Sequence, residues 1–295
     1  IRTRFAPSPT GFLHIGGLRT ALFCYAWAKK NNGVFILRIE DTDQNRIVES
    51  AIDQIINSLS WAGITPDEGV VGSTEGSVTQ KGDLGPYIQS ERIDVYTKFA
   101  QDLLESKKAY KCWCTPSRLD EMRAAQRAAK QMPKYDRLCY HLSDDEKAQK
   151  EASNEPAVIR FFVPEVKEVG WDDLVFGKMK FEGDQIDDFV CLKADGFPTY
   201  NFANVIDDHS MEITHVIRGQ EFLSSTPKHI VLYEAFGWDV PAMVHVAWIL
   251  GKDKKKLSKR DDSVSVDDYK DMGILPDALN NYLALLGWNP GGERE

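Results

Sequence analysis

At 295 residues, with 42% hydrophobic and 27% charged side chains, the chain has room for about two domains and has a soluble globular composition rather than a fibrous or disordered one. A net charge of −9 excludes a surface built throughout to coat nucleic acid, while leaving room for a local basic face. No apolar run approaches the ~20 residues that span a bilayer, and five Cys in this length do not make a secreted disulfide framework.

The opening "IRTRFAPSPT" has no apolar signal-peptide segment. Arg2 to Ala6 reads as a short strand entering a Pro/Gly loop, "PSPTGFLHIGG". A helix follows from about Gly17 to Lys30, with Leu18, Ala21, Leu22 and Tyr25 on one face and Asn31-Asn32-Gly33 at its end. Val34 to Ile39 is a near-continuous apolar strand, as expected when both faces are buried in a parallel sheet. The charged loop "EDTDQNR" leads to a second amphipathic helix carrying Ile52, Ile55, Ile56 and Leu59. Strand, helix, strand, helix opens a βαβα unit, since parallel strands need such crossovers.

Residues 64–90, rich in Gly, Thr, Ser and Asp, read as loop, and Ile93, Tyr96, Ala100, Leu103 and Leu104 mark another helix. Residues 107–155 carry three of the Cys and show little periodicity. Strands are expected at 157–163 and 172–183, the second a hairpin around Gly177. Strand, turn and helix return over 188–209, and "ITHVIRG" is a strand. Ser225-Thr226-Pro227 starts a helix that runs to Phe236, with Gly237 after it. "VHVAWIL" (244–250) is the last strand. Two α/β stretches thus flank a segment of different character, the pattern of a nucleotide-type α/β core with an inserted domain.

In open α/β sheets, ligands bind beyond the carboxyl ends of the strands, which singles out the loops 7–17, 40–46 and 251–260. The first holds Gly11, Gly16 and Gly17, with His14 between them. Glycines let a phosphate approach the backbone, and the start of the next helix offers N–H groups and partial positive charge. It is not a Walker loop, because no Gly-Lys-Ser/Thr follows. The last loop supplies Lys254, Lys255, Lys256 and Lys259, suited to holding a polyphosphate while pyrophosphate leaves. Taken singly, each loop also fits a plainer reading: a Gly-rich turn with a surface His, and a solvated charge run.

The segments taken together resemble one family. "APSPTGFLHIGG" resembles the HIGH signature of class I aminoacyl-tRNA synthetases in the form used by glutamyl-tRNA synthetases, and "KLSKR" (256–260) resembles the second signature, KMSKS. "RIEDTD", "GPYIQSER" and "GFPTYNFANVIDDH" match the same family in order. Two positions depart: Gly17 stands where the first signature ends in His, and Leu257 where the second has Met, both familiar in glutamyl enzymes.

The resemblance implies an α/β fold: a Rossmann-like parallel sheet split by an acceptor-stem-binding insertion, then the start of a helical stem-contact region. The expected division is 1–93 and 191–250 for the two halves of the core, 94–190 for the insertion, and 251–295 for the KMSKS-type loop and the beginning of the stem-contact region. The implied reaction is ligation of L-glutamate to tRNA(Glu) through glutamyl-adenylate, with ATP and Mg²⁺, in a cytoplasmic, monomeric enzyme without a membrane role. His14, Gly16, Gly17, Glu221, Lys256 and Lys259 are the expected ATP-site residues, with His14, Lys256 and Lys259 catalytic. Arg4, Ala6, Ser8, Glu40, Tyr200, Asn204 and Arg218 are the expected glutamate-binding positions. Arginines suit the acid groups and Glu40 the ammonium. Members of the family normally continue into a helical anticodon-binding domain, so a truncated chain is expected. Rival readings are a paralogue that glutamylates a modified tRNA base, a non-catalytic tRNA-binding module and a small adenylyltransferase; intact His14 and Lys259 count against the module.

Cys112 and Cys114, then Cys139 and His141, form C-x-C and C-x-H pairs 24 residues apart. Four such ligands in two close pairs suit a structural, tetrahedral Zn²⁺, and the resemblance places a site of this pattern in the insertion of some bacterial members. Lys111, Arg118, Arg123, Arg127 and Lys130 offer either a basic face to the tRNA acceptor end or an ordinary solvated helix face. Cys24 and Cys191, in apolar contexts, read as buried thiols.

Overall fold

A computed structural model describes residues 1–74, 77–251, 254–257 and 265–289. In chain order its elements are β1 (Arg2–Phe5), α1 (Ile15–Lys30), β2 (Val34–Leu37), α2 (Ala51–Trp61), β3 (Glu68–Thr74), β4 (Ser77–Lys81), α3 (Ile93–Glu105) and β5 (Ala109–Cys112). Next come α4 (Pro116–Ala128), α5 (Asp144–Ala152), β6 (Val158–Phe161), β7 (Glu168–Asp173), β8 (Gly177–Glu182) and β9 (Val190–Leu192). The last are α6 (Tyr200–Ser210), β10 (His215–Gly219), α7 (Thr226–Phe236), β11 (Ala242–Val246), α8 (Val266–Asp271) and α9 (Pro276–Leu285). Among the described residues, no helix is long and apolar enough to cross a membrane.

The large sheet has the order β4-β3-β2-β1-β10-β11-β7-β8, parallel from β3 to β7, with an antiparallel strand at each edge. The chain leaves β1 through α1 toward β2 on one side, and leaves β10 through α7 toward β11 on the other. The direction of winding therefore reverses between β1 and β10, which opens a crevice at their carboxyl ends. β5, β6 and β9 form a separate three-stranded antiparallel sheet.

One apolar cluster joins α1, α2 and α9 to the strands around Phe35, Ile36 and Leu37; a second gathers α3, α6 and α7 around Phe202, Ile206 and Leu232. A small third cluster holds Tyr110, Cys112, Tyr135 and Cys139.

The structure departs from the expected elements where burial is one-sided. Residues 64–90 contain the β3–β4 hairpin, not only loop. β4 has no fully buried residue, so it has no apolar alternation to read. Gly69 is required there: at φ +102° its Cβ would lie 2.1 Å from the Leu37 carbonyl oxygen. The stretch 107–155 holds β5, α4 and α5, and neither helix has a fully buried residue, which weakens the 3.6-residue signal. The β7–β8 hairpin begins at Glu168, and Asp173 pairs with Met243 of β11. Residues 168–182, within the expected insertion, are therefore strands of the large sheet. The last strand stops at Val246, and the chain then turns on itself: Leu257 N–H donates to Ile249 O (2.9 Å) and Gly251 N–H to Lys255 O (2.8 Å).

Candidate active site

A cleft of about 530 Å³ opens at the crevice. It is lined by the expected ATP-site residues His14, Gly16, Gly17, Glu221 and Lys256 and by the expected amino-acid residues Arg4, Ala6, Ser8, Glu40, Tyr200, Asn204 and Arg218. Lys259 lies outside the described residues. A second cavity, lined by the 41–47 loop and by Lys193 and Asp195, shares Ser8, Glu40 and Tyr200 with the first.

On the phosphate side, α1 begins at Ile15, two residues before the expected start, because His14 is its N-cap. His14 Nδ1 accepts the Gly17 N–H at 3.0 Å. That bond puts the ring proton of the neutral imidazole on Nε2, as a donor. It also engages the Gly17 N–H, so what Gly17 contributes is closeness: a Cβ there would lie 2.8 Å from Leu13 Cδ1. A Cβ on Gly16 would lie 3.0 Å from His14 Nδ1. On the opposite wall, Glu221 accepts from Trp248 Nε1 (3.2 Å) and from Lys256 Nζ (3.3 Å). Burial pushes the Glu221 carboxyl up, but its own backbone N–H and Lys256 outweigh this and hold it below the ordinary value.

Around the residues expected to bind the amino acid, charges are organised by a buried network. Glu40 Oε1 accepts from Arg38 Nη2 (3.0 Å) and Asn204 Nδ2 (2.9 Å). Burial raises the Glu40 carboxyl above its usual range, against the pull of Arg38 and Arg4. Arg4 grips Asp208 with two bonds, at 2.9 and 3.1 Å. Arg38, fully buried, reaches Asp208 at 2.8 Å and Asp207 at 3.7 Å. Asp207 in turn accepts from Arg92 (2.7 Å), Gln89 (2.8 Å) and Tyr96 (2.9 Å). Arg4 and Arg38 are thus already matched by carboxylates.

Arg218 differs. It is 4% exposed, and among the described residues it makes no ion pair. Its partners are His245 Nε2 (3.0 Å), Tyr200 Oη (3.2 Å), His229 Nδ1 (3.2 Å) and Thr226 Oγ1 (2.9 Å). A buried guanidinium without an anion is costly, so the cleft is primed to take a carboxylate beside it.

Sequence reasoning missed Arg38, Asp207, Asp208 and His245. One signal was available: Tyr200, Asn204 and Asp208 step by four along α6 and share one face.

In the small third cluster, the sulfurs of Cys112, Cys114 and Cys139 all lie within 4.8 Å of one another. The expected fourth ligand, His141, is not in this group; its ring packs edge-on against Tyr140, centroids 5.2 Å apart. The position beside the sulfurs is taken by Tyr135, whose hydroxyl is 3.3 Å from both Cys112 and Cys114 and accepts the Cys139 N–H at 3.1 Å. Hydrogen bonding to Cys139 and Tyr135 outweighs burial and lowers the Cys112 thiol, toward the thiolate form that binds metals. Three thiols in this reach fit a tetrahedral metal site that needs one further ligand. Of the basic residues around it, Lys111 pairs with Glu151, Arg118 with Asp136 and Arg123 with Asp120.

The whole chain, residues 1–295, matches the family described as tRNA synthetases class I (E and Q), catalytic domain. It is 55% identical over 295 residues to a glutamate–tRNA ligase of Clostridioides difficile, covering all of this chain and 60% of that protein. It is 53% identical over 297 residues to one from Finegoldia magna, covering 61% of it. The crystal structure of a glutamate tRNA ligase from Elizabethkingia meningosepticum in complex with its amino acid superposes with a TM-score of 0.88 at 41% identity, over 99% of this chain and 61% of that one. The chain therefore spans about 60% of the length of these relatives. With the first signature loop and, from the second, Lys256 and Leu257 lining one cleft beside the β1–β10 crevice, the chain belongs to the class I tRNA synthetases of the glutamyl and glutaminyl type, and lies within their catalytic domain.

Proposed function

We propose that this chain is the catalytic part of an ATP-dependent glutamate–tRNA ligase. The observation that carries this reading is the buried Arg218 cation, without an ion pair among the described residues, in the same cleft as the Glu40 carboxylate and the start of α1. A ligand with an ammonium and two carboxylates suits such a site: Glu40 takes the ammonium and Arg218 a carboxylate. Glutamine, lacking the second charge, leaves the buried guanidinium less well compensated. The names of the relatives point the same way.

In this reading a carboxylate oxygen of glutamate attacks the α-phosphorus of ATP, the bond to the bridging oxygen breaks, and pyrophosphate leaves. A ribose hydroxyl at the tRNA end then attacks the acyl carbon, and AMP leaves with the electron pair. The chain supplies position and charge, with no protein nucleophile. His14 Nε2–H and the α1 N-terminus hold phosphate oxygens, and Lys256 with Lys259 meets the charge that develops on them. Mg²⁺, when bound with ATP, neutralises further phosphate charge. The second cavity, continuous with the first at Ser8, Glu40 and Tyr200, receives the tRNA end. Residues 94–190, less the β7–β8 hairpin, form the acceptor-stem insertion, and Cys112, Cys114 and Cys139 hold a structural Zn²⁺ there. The enzyme acts as a cytoplasmic monomer.

Glutamate-dependent exchange of pyrophosphate into ATP by the full-length protein tests the reading. Exchange is expected with glutamate and tRNA present, and not with glutamine in place of glutamate. No exchange with any amino acid in the presence of tRNA would sink it.

A further inference from the structure

Behind Arg218 lies a pair of residues to which the proposed reaction gives no role. Asp173 ends β7, His245 lies in β11, and both side chains are fully buried. His245 Nδ1 is 2.5 Å from Asp173 Oδ2, and His245 Nε2 is 3.0 Å from Arg218 Nε. A guanidinium N–H can only donate, so Nε2 must accept. The ring proton is therefore on Nδ1, and it is donated to Asp173. Asp173 is fixed in turn, because its Oδ1 accepts the backbone N–H groups of Val175 and Phe176, each at 3.0 Å. On the other side, His229 accepts from Arg218 through Nδ1, and its Nε2 meets Asn201 Oδ1 at 3.1 Å. Four of the five N–H groups of Arg218 are thus held by neutral acceptors among the described residues, and none by a carboxylate.

We propose that Asp173 and His245 are positioning residues for amino-acid binding: Asp173 fixes the tautomer of His245, and that tautomer aims the still-uncompensated Arg218 guanidinium at a substrate carboxylate. The inference rests on Arg218 being the carboxylate-binding cation of the proposed reaction. A carboxylate in direct contact with Arg218 would neutralise it and compete with the ligand. A neutral imidazole gives direction without charge, and the Asp173 charge beyond the ring steadies the buried cation from a distance. Burial and the neighbouring Arg218 hold His245 down at about 4, so the ring stays neutral near pH 7.

Asp173→Asn tests the relay. Its Oδ1 must remain the acceptor for three backbone N–H groups, those of Val175, Phe176 and His245, so the new NH₂ faces His245 Nδ1. The imidazole then has to carry its proton on Nε2, pointing an N–H at the N–H of Arg218. The ring tautomer is read from imidazole ¹⁵N shifts of the folded full-length protein. The consequence is read from glutamate and ATP KM in tRNA-dependent exchange. The expected result is a reversed tautomer, a glutamate KM raised at least about tenfold, and an ATP KM within about twofold of wild type. His245→Gln keeps an acceptor near the Nε2 position, whereas His245→Asn keeps only the group facing Asp173. Glutamate KM should therefore rise more in the Asn variant. A reversed ring with unchanged glutamate KM overturns the proposal, as does an unreversed ring. Should Asp173→Asn not fold, equal glutamate KM in the two His245 variants overturns it. If the wild type shows the stated tautomer, and its reversal in Asp173→Asn, yet no glutamate-dependent exchange, the relay is supported and the substrate reading is what has failed.

Discussion

Asp208 is the residue on which most of the buried charge turns. It faces both Arg4 and Arg38, each within 2.9 Å. Burial works against its ionised form, but the two guanidiniums prevail and keep it below its ordinary value. Asp208→Ala would leave two buried cations short of a partner, and chemical denaturation should show a loss of about 3–5 kcal/mol. A loss under about 1 kcal/mol would mean that Asp207 and Glu40 suffice. The buried imidazoles add a pH signature of their own. His245 is lowered from 6.5 to about 4, and His229 also well below 6.5, both by burial first and Arg218 second. The unfolded chain takes up these protons below about pH 6.5 and the folded chain does not. Unfolding free energy should therefore fall as pH drops from about 6.5 to about 4, and His245→Gln should flatten that slope. A slope identical to wild type would show that His245 is protonated in the fold.

At the scale of elements, α1 joins a cap, a glycine pair and a binding surface in four residues, His14 to Gly17. Gly16→Ala places a methyl about 3 Å from the capping nitrogen of His14. ATP KM should rise several-fold with little change in glutamate KM, as steady-state exchange would show; equal changes in both would point to a general disturbance. The glycines and His14 were legible from sequence because the loop chemistry is local. So were β1, β2, β10 and α7, whose apolar runs or caps are contiguous. The β3–β4 hairpin was not legible, because Ser77 to Lys81 bury no residue fully and Val78 is their one apolar side chain. Nor was the place of β7: the expected strand began only at Asp172, four residues after β7 starts, and only pairing with β11 puts β7 in the large sheet. Non-local pairing of this kind leaves no mark on a single segment. The same reason hid Asp173 and His245, which are 72 residues apart in sequence and share two hydrogen bonds.

At the scale of the molecule, the cysteine cluster stands apart from the two main apolar clusters. A metal bound there should hold the insertion together without governing the core. Metal analysis should find about one Zn per chain. Its removal by a chelator should speed amide exchange around Cys112 to His141 while leaving β1, β2 and β10 protected. Exchange unchanged in both regions after removal would deny the metal a structural role. The topology has a further consequence, for synthesis rather than for catalysis. β1 is central in the sheet, but its second neighbour is β10, and Arg4 finds Asp208 only 204 residues later. Until the ribosome has released His215–Gly219, the first strand lacks one edge, and Arg4 and Arg38 have no Asp207 or Asp208 to meet. A nascent chain halted before that point should stay open to proteolysis, so the wall of the cleft around Arg4 and the folded core are completed by the same late stretch of chain.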